Sequence, residues 1–219
     1  VPQPGYMNIN AKGELFVISA GRLCRLEWPS GKVTPFPCDA KRPGAFDFDK
    51  QDNLYVFDWF KDRQNIRVYS PAGKLLRTIG TPGGFKMGLW DPSRLGRILA
   101  IAIDQKDQLW TVGGQFYPQR LTRWSLDGKV LSEHFGRTRY GGGGVLDPGD
   151  KSLLYYGPLE FKLDWDTGKT KLQALTWIGK AEAGEQPIYV NGRKYMVNRG
   201  PFFRISCGVV HLYENHKTK

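Results

Sequence analysis

The chain has 219 residues, of which 40% are hydrophobic and 24% are charged, a composition typical of a folded globular protein. Lysine and arginine outnumber the acidic residues by 32 to 21, and the resulting net charge of +11 favours anionic partners through long-range attraction. No apolar run reaches the roughly 18 residues that a membrane-spanning helix needs, and residues 1–20 contain no basic-then-apolar leader.

Turns that contain Gly-Lys recur along the chain. They lie at residues 31–32, 73–74, 128–129 and 168–169, separated by 42, 55 and 40 residues. Apolar residues alternate with polar ones on both sides of each turn. Alternation around a glycine turn is typical of a β-hairpin.

A second turn precedes each of these hairpins, at residues 11–13, 50–53, 105–108 and 148–151, and another such turn lies at 191–192. The strands predicted after these turns are dense in apolar residues, as expected of strands buried between neighbouring sheets; they cover 15–18, 54–57, 109–112, 153–156 and 195–197. Asp49, Asp104 and Asp147 open three of these turns. Aspartate there accepts backbone hydrogen bonds, so we expect a turn-forming role and not metal binding.

Four strands in about 42 residues is the signature of a β-propeller blade. The sequence therefore predicts an all-β chain, 1–219, forming a single propeller domain with few helices. The predicted blades cover 5–40, 44–80, 97–137, 141–179 and 186–219, and residues 81–96 form an insertion rich in glycine and proline. A β-sandwich with coincidental turns is the competing interpretation.

The fifth unit is expected to lack its outermost strand, because the chain ends within the predicted turn at 211–217. An open sheet flank is unfavourable, so we expect this chain to be part of a six-bladed or larger ring. The chain also begins without methionine, which is consistent with a piece of a longer protein.

The second unit resembles an NHL repeat. It contains Ala45-Phe-Asp-Phe-Asp49, Asn53-Leu-Tyr-Val56, Asp58, Asn65-Ile-Arg-Val-Tyr69 and Gly73, and the third unit matches this pattern more loosely. The resemblance implies a structural role for Asp58, which would accept hydrogen bonds from its turn and from Arg67. Residues 80–168 are also similar to propeller segments of large bacterial proteins of planctomycete type, which implies an exported polypeptide.

Arginine, aromatic and glycine residues are concentrated where the innermost strands begin, at one mouth of the predicted channel. The candidate binding residues are Arg42, Trp59, Trp90, Arg94, Arg97, Tyr117, Arg139, Tyr140 and Gly141. Arginine interleaved with aromatic rings is suited to an acidic sugar, a nucleic acid or a peptide carboxylate.

The first functional hypothesis is a non-catalytic binding module of a larger bacterial protein, without a cofactor. Its partner would be an acidic small molecule, a polysaccharide or a protein, and it would also contact the rest of the polypeptide. An alternative is a propeller hydrolase, lactonase or lyase with a divalent metal such as calcium in the channel, held by Asp58, Glu160 and Asn198. A second alternative is RNA binding through a basic face.

The histidine and cysteine residues indicate no catalytic or metal site. His134, His211 and His216 are not spaced as a metal pair, and no CxxC motif occurs. Cys24 and Cys38 flank the turn at 29–32, so a disulfide between them is left open.

Overall fold

The computed structural model describes residues 1–86, 88–114, 119–136, 144–147, 149–156 and 159–175, and the backbone of four further strands between 185 and 212. These residues form β-strands and contain no helix, so none of them belongs to a helix that could cross a membrane. The chain divides into two compact units, Val1–Gly84 with Pro92–Gly136, and Phe85–Asp91 with Arg137–Lys219.

The first unit contains three antiparallel four-stranded sheets, each connected in chain order. Blade 1 consists of β1 (Pro4–Ile9), β2 (Leu15–Ser19), β3 (Arg22–Leu26) and β4 (Val33–Pro35). Blade 2 consists of β5 (Pro43–Phe48), β6 (Leu54–Asp58), β7 (Asn65–Tyr69) and β8 (Leu75–Ile79). After a short strand of the second unit, β9 (Gly88–Leu89), blade 3 follows with β10 (Ile98–Ile103), β11 (Gln108–Gly113), β12 (Arg120–Ser125) and β13 (Val130–Phe135). The first strands of these blades are neighbours, since β5 lies against both β1 and β10.

The second unit contains a fourth sheet. Blade 4 consists of β14 (Val145–Leu146), β15 (Leu153–Tyr156), β16 (Leu159–Asp164) and β17 (Lys169–Leu175). The insertion contributes β9, which pairs antiparallel with the outer edge of β17 as a fifth strand. The sequence predicted the insertion as an irregular connection, and this strand pairing was not predicted.

The predicted fifth blade is observed as two separate hairpins. One pairs β18 (Glu185–Val190) with β19 (Arg193–Asn198), and the other pairs β20 (Phe203–Ser206) with β21 (Val209–Leu212). The prediction that 211–217 begins in a turn was wrong for residues 211 and 212, because they lie in β21 and pair with β20.

The turns follow the sequence prediction closely. All four glycines of the Gly-Lys turns have positive φ, at 72°, 81°, 101° and 65°, a region that side chains with a Cβ seldom adopt. At the first turn of each blade, Asp49, Asp104 and Asp147 accept backbone N–H groups two to four residues later, as predicted. Asn10 does the same in blade 1, although it was not predicted.

Blade 2 is buried on both faces. One face packs with blade 1, through residues such as Phe16, Val56 and Tyr69, and the other packs with blade 3, through residues such as Phe57 and Trp124. A β-sandwich sheet would bury only one face, so the sandwich interpretation was wrong. The four-stranded sheets are blades of a β-propeller, and in the first unit blade 2 is covered on each face by a neighbouring blade.

Candidate functional site

The inner hairpins of blades 1 to 3 end in the same way. The N–H groups of Ala20, Trp59 and Gly114 donate to the carbonyls of Pro2, Arg42 and Arg97, at 3.0, 2.8 and 2.7 Å respectively. Arg42 and Arg97 therefore occupy equivalent positions in blades 2 and 3. Trp59 in blade 2 occupies the position that Gly114 has in blade 3.

These positions form a pocket of about 320 Å³, lined by Arg42, Pro43, Trp59 and Arg97. It exists because β5, which follows Arg42, lies against β10, which follows Arg97. The Arg97 guanidinium lies over the Trp59 ring, 5.5 Å from its centroid, which is within the range of a cation–π contact. Both arginines are exposed and Trp59 is half-buried.

Two of the lining side chains carry donor groups that are not hydrogen-bonded within the described part of the chain. Neither the Arg42 guanidinium nor the Trp59 indole N–H has a hydrogen-bond partner among the described residues. Among the described residues, no carboxylate lines the pocket. The site therefore presents hydrogen-bond donors and positive charge, and it is suited to an acceptor that carries negative charge.

Two features hold the indole ring in place. Phe57 packs against Trp59 nearly edge-on, with the ring centroids 5.3 Å apart. Gly44 lies so close to the indole that a Cβ at this position would overlap it. Glycine at 44 therefore permits the close approach, and the ring is held between β5 and β6.

Asp58 organises the backbone beside the pocket. Its carboxylate is fully buried and accepts the N–H groups of Lys41, Arg42 and Phe60, each at 3.0 Å. It also accepts a hydrogen bond from Arg63 Nη1 at 2.8 Å. Burial raises the pKa of Asp58, but these hydrogen bonds together outweigh it and hold the pKa below 3.8.

The prediction that Arg67 donates to Asp58 was wrong. Arg67 instead binds both carboxylate oxygens of Asp39, at 3.0 and 2.9 Å, and donates to the Tyr69 hydroxyl. In the strand register, Arg67 lies opposite Val56, whereas Asp58 lies opposite Asn65. Arg67 therefore lies two residues along the strand pair from Asp58. The loop residue Arg63 donates to the Asp58 carboxylate instead.

The remaining predicted binding residues are not all part of this pocket. Arg94 donates to the carbonyls of Pro82 and Gly84, both at 3.0 Å, and so holds the backbone of the insertion. Trp90 belongs to the second unit, where its backbone N–H donates to the carbonyl of Gln173 in β17 at 2.9 Å. Tyr117, Arg139, Tyr140 and Gly141 lie outside the described residues.

Pro43 is a lining residue that the sequence prediction missed. Its position directly after Arg42, at the first residue of an innermost strand, could have indicated that it lines the pocket.

The ligands suggested for a metal have other partners where they are described. Both oxygens of Asp58 already accept hydrogen bonds, as above. Glu160 is buried in β16 and accepts a hydrogen bond from Gln173 Nε2 at 2.9 Å. The side chain of Asn198 lies outside the described residues. Across the described part of the chain, no group of three histidine, cysteine, aspartate or glutamate residues is arranged to hold a metal.

Cys24 and Cys38 are free thiols. Cys24 lies opposite Pro35 in the β3–β4 pair, and Cys38 follows the end of β4, so the two residues do not face each other across the hairpin. Burial raises the pKa of both thiols, which keeps them protonated at neutral pH.

A second pocket, of about 400 Å³, lies beside the outer strands of blade 1. Its charged side chains are largely paired with one another. Arg25 binds Glu14 at 2.9 Å, and Lys32 lies 3.7 Å from Glu27. This pocket therefore offers little uncompensated charge to a ligand.

No protein-family model and no curated protein sequence matches the chain. Solved structures with a similar arrangement include virginiamycin B lyase from Staphylococcus aureus, at 12% identity and a TM-score of 0.41, covering 88% of this chain and 69% of that one. Hydrazine synthase from Kuenenia stuttgartiensis has 14% identity and a TM-score of 0.47, covering 88% of this chain and 54% of that one.

A nidogen/laminin complex has 15% identity and a TM-score of 0.45, covering 78% of this chain and 76% of that one. These neighbours are β-propeller proteins. At such identities and TM-scores the comparison assigns neither a function nor a site. The conclusion that this chain is built of β-propeller blades rests on its own sheet topology.

Proposed function

We propose that this chain is a non-catalytic binding module of a larger bacterial protein, and that the pocket of Arg42, Trp59 and Arg97 binds an anionic ligand. The observation that carries the proposal is that two exposed arginine side chains from neighbouring blades line one pocket together with the ring of Trp59. A bound anion would offset the repulsion between the two cations and accept hydrogen bonds from the Arg42 guanidinium. The net charge of +11 would assist the approach of such a ligand.

The chemistry of the lining residues supports binding over catalysis. A general base or nucleophile must lie within hydrogen-bond reach of the reacting group. Within the part of the chain that the structure describes, the lining consists of arginine, proline and tryptophan side chains. The neighbouring carboxylate, Asp58, is buried beneath four donors and has a lowered pKa, so it is poorly suited to accept a proton.

We also propose that the blades of this chain are related to NHL repeats. It is supported by blade 2, in which Asp58 holds the turn after the second strand and Arg67 anchors the third strand to the segment before the blade. In this interpretation the repeat motif has a positioning role, because the Asp58 carboxylate fixes the backbone of Arg42.

Affinity electrophoresis of the full chain tests the proposal, with gels that contain polygalacturonate, polyphosphate, RNA or neutral dextran. We expect at least one of the anionic polymers to retard the protein and dextran to have no effect. The double variant Arg42→Gln/Arg97→Gln should bind that polymer at least about a hundredfold more weakly, because it loses two charge-assisted hydrogen bonds worth about 1.5–3 kcal/mol each. A control with the same charge change, Arg22→Gln/Lys74→Gln, should bind like the wild type.

The control separates the alternatives. Equal weakening in both double variants would indicate diffuse charge attraction and overturn the pocket assignment. Retardation by RNA alone, with a steep dependence on salt and equal loss in both variants, would favour the RNA-binding alternative. Shortening of the polymer by the protein would favour the enzyme alternative.

A further inference from the structure

Building on the proposed function, we infer that the pocket of Arg42, Pro43, Trp59 and Arg97 recognises a carboxylate carried on a single ring, as in a sugar acid or an aromatic acid. The volume of about 320 Å³ lies at the lower end of the roughly 300–1,000 Å³ typical of small-molecule pockets. It therefore accommodates one ring-sized unit. Three further observations specify the chemistry.

The first observation is the geometry of the donors. Each arginine presents a planar fork of N–H groups, which matches the two coplanar oxygens of a carboxylate in a bidentate pair. Arg42 and Arg97 come from equivalent positions of adjacent blades, and both side chains are exposed.

The second observation is that three backbone N–H groups near the pocket already have acceptors. The N–H of Trp59 donates to Arg42, that of Gly114 donates to Arg97, and that of Arg42 donates to Asp58. Sites for tetrahedral phosphate groups are commonly built from free backbone N–H groups in a nest or at a helix N-terminus. Recognition in this pocket would depend on the arginine side chains instead, and their planar N–H groups favour a planar carboxylate over a tetrahedral phosphate.

The third observation is the apolar wall. Trp59 and Pro43 offer carbon surface directly beside the guanidinium groups, and a tryptophan combines such a surface with a polar N–H. The indole is held by Phe57 and by the close backbone of Gly44. A ring held in place before binding lowers the entropic cost of recognition, so the apolar side of a ligand ring fits this wall.

The test is an NMR titration of the ¹⁵N-labelled full chain, in which the Trp59 indole N–H signal is assigned with a Trp59→Phe variant. The probes are glucuronate, benzoate, glucose, inorganic phosphate and sulfate. We expect glucuronate, benzoate or both to shift the signal in a saturable way, whereas glucose, phosphate and sulfate shift it weakly or not at all. The relative affinities of glucuronate and benzoate identify which ring is preferred.

Substitutions of the two arginines test whether their side chains bind the carboxylate. Arg42→Gln and Arg97→Gln should each raise the Kd for the carboxylate by about tenfold to a hundredfold. Arg42→Lys should also raise it, by about tenfold, because lysine keeps the charge but lacks the planar fork. Arg22→Gln serves as the control and should bind like the wild type.

The possible outcomes separate this inference from the proposed function. Phosphate or sulfate that binds as tightly as the carboxylates, with dependence on Arg42 and Arg97, would overturn the inference and leave the anion-binding module intact. An Arg42→Lys variant with unchanged affinity would overturn bidentate recognition. A protein that responds to none of these anions, and to none of the polymers above, would overturn both.

Discussion

Asp58 shows how one residue of a repeat motif connects fold and site. Its buried carboxylate gathers donors from the segment before blade 2 and from the loop after β6. These are the two backbone segments that carry Arg42 and Trp59. The residue therefore stabilises the blade and positions the pocket through the same set of hydrogen bonds.

We predict that Asp58→Asn lowers the free energy of unfolding at pH 7 by about 3 kcal/mol, because the buried partners of the carboxylate lose its charge and one acceptor oxygen. Urea denaturation measures the change. Asp62→Asn is the matched control, since Asp62 is exposed in the same loop, and it should change the stability by less than about 0.5 kcal/mol.

The pH dependence of the difference in unfolding free energy between the wild type and Asp58→Asn tests the role of the Asp58 charge. Because the pKa of Asp58 in the folded protein lies below 3.8, its ionised form stabilises the fold above that pH, and the contribution is lost as the pH falls through the folded-state pKa. The gap between the wild type and Asp58→Asn should therefore narrow below about pH 4. A gap that is constant from pH 7 to pH 3 would contradict the role of the charge.

At the scale of the element, the Gly-Lys turns recur with the same backbone conformation but in different surroundings. Gly31 and Gly73 have φ of +72° and +81°. A Cβ on Gly31 would meet nothing within 4 Å, whereas a Cβ on Gly73 would overlap the backbone carbonyl of Pro37. The turn of blade 2 thus packs against the connection that follows blade 1.

This pair of turns allows the two effects to be measured separately. We predict that Gly31→Ala costs about 1 kcal/mol of unfolding free energy, which is the cost of a left-handed backbone for a residue with a Cβ. Gly73→Ala should cost about 2–4 kcal/mol, because the overlap with Pro37 is added to that cost. Chemical denaturation of the two variants under the same conditions checks the prediction, and equal losses would show that the packing against Pro37 is unimportant.

At the scale of the whole molecule, polar links join the blades of the first unit. Asp47 in β5 accepts a hydrogen bond from Asn8 Nδ2 of β1 and another from the N–H of Ile103 in β10, both at 2.7 Å. One carboxylate therefore connects the first strands of three blades. Further out, the Lys50–Asp107 pair at 3.0 Å joins the turns of blades 2 and 3 in an exposed position.

We predict that Asp47→Asn destabilises the protein by about 1–2 kcal/mol and accelerates hydrogen exchange at the Ile103 amide, because that donor loses a charged acceptor. Asp107→Asn is the control, and it should change the stability by less than about 0.5 kcal/mol, since exposed ion pairs contribute little. Similar stability losses in the two variants, without faster exchange at Ile103, would contradict a central role for Asp47.

The sequence by itself determined the repeat, the strands of the blades and the chemistry of their turns. A glycine with positive φ, or an aspartate that caps the next few N–H groups, acts within a handful of residues, so its structure is encoded locally. The position of Arg42 and Arg97 before innermost strands was also visible in this way, because it follows from the repeat.

Only the tertiary structure decided which distant groups meet. The partners of Asp58 and Arg67 depended on the register of β6 and β7 and on how far Arg63 reaches from its loop. The pairing of β9 with β17, and the meeting of Arg42, Trp59 and Arg97 in one pocket, depended on contacts between segments that are remote in sequence. Such contacts are set by packing and hydrogen bonding across the folded chain, and a local pattern of residue types does not contain that information.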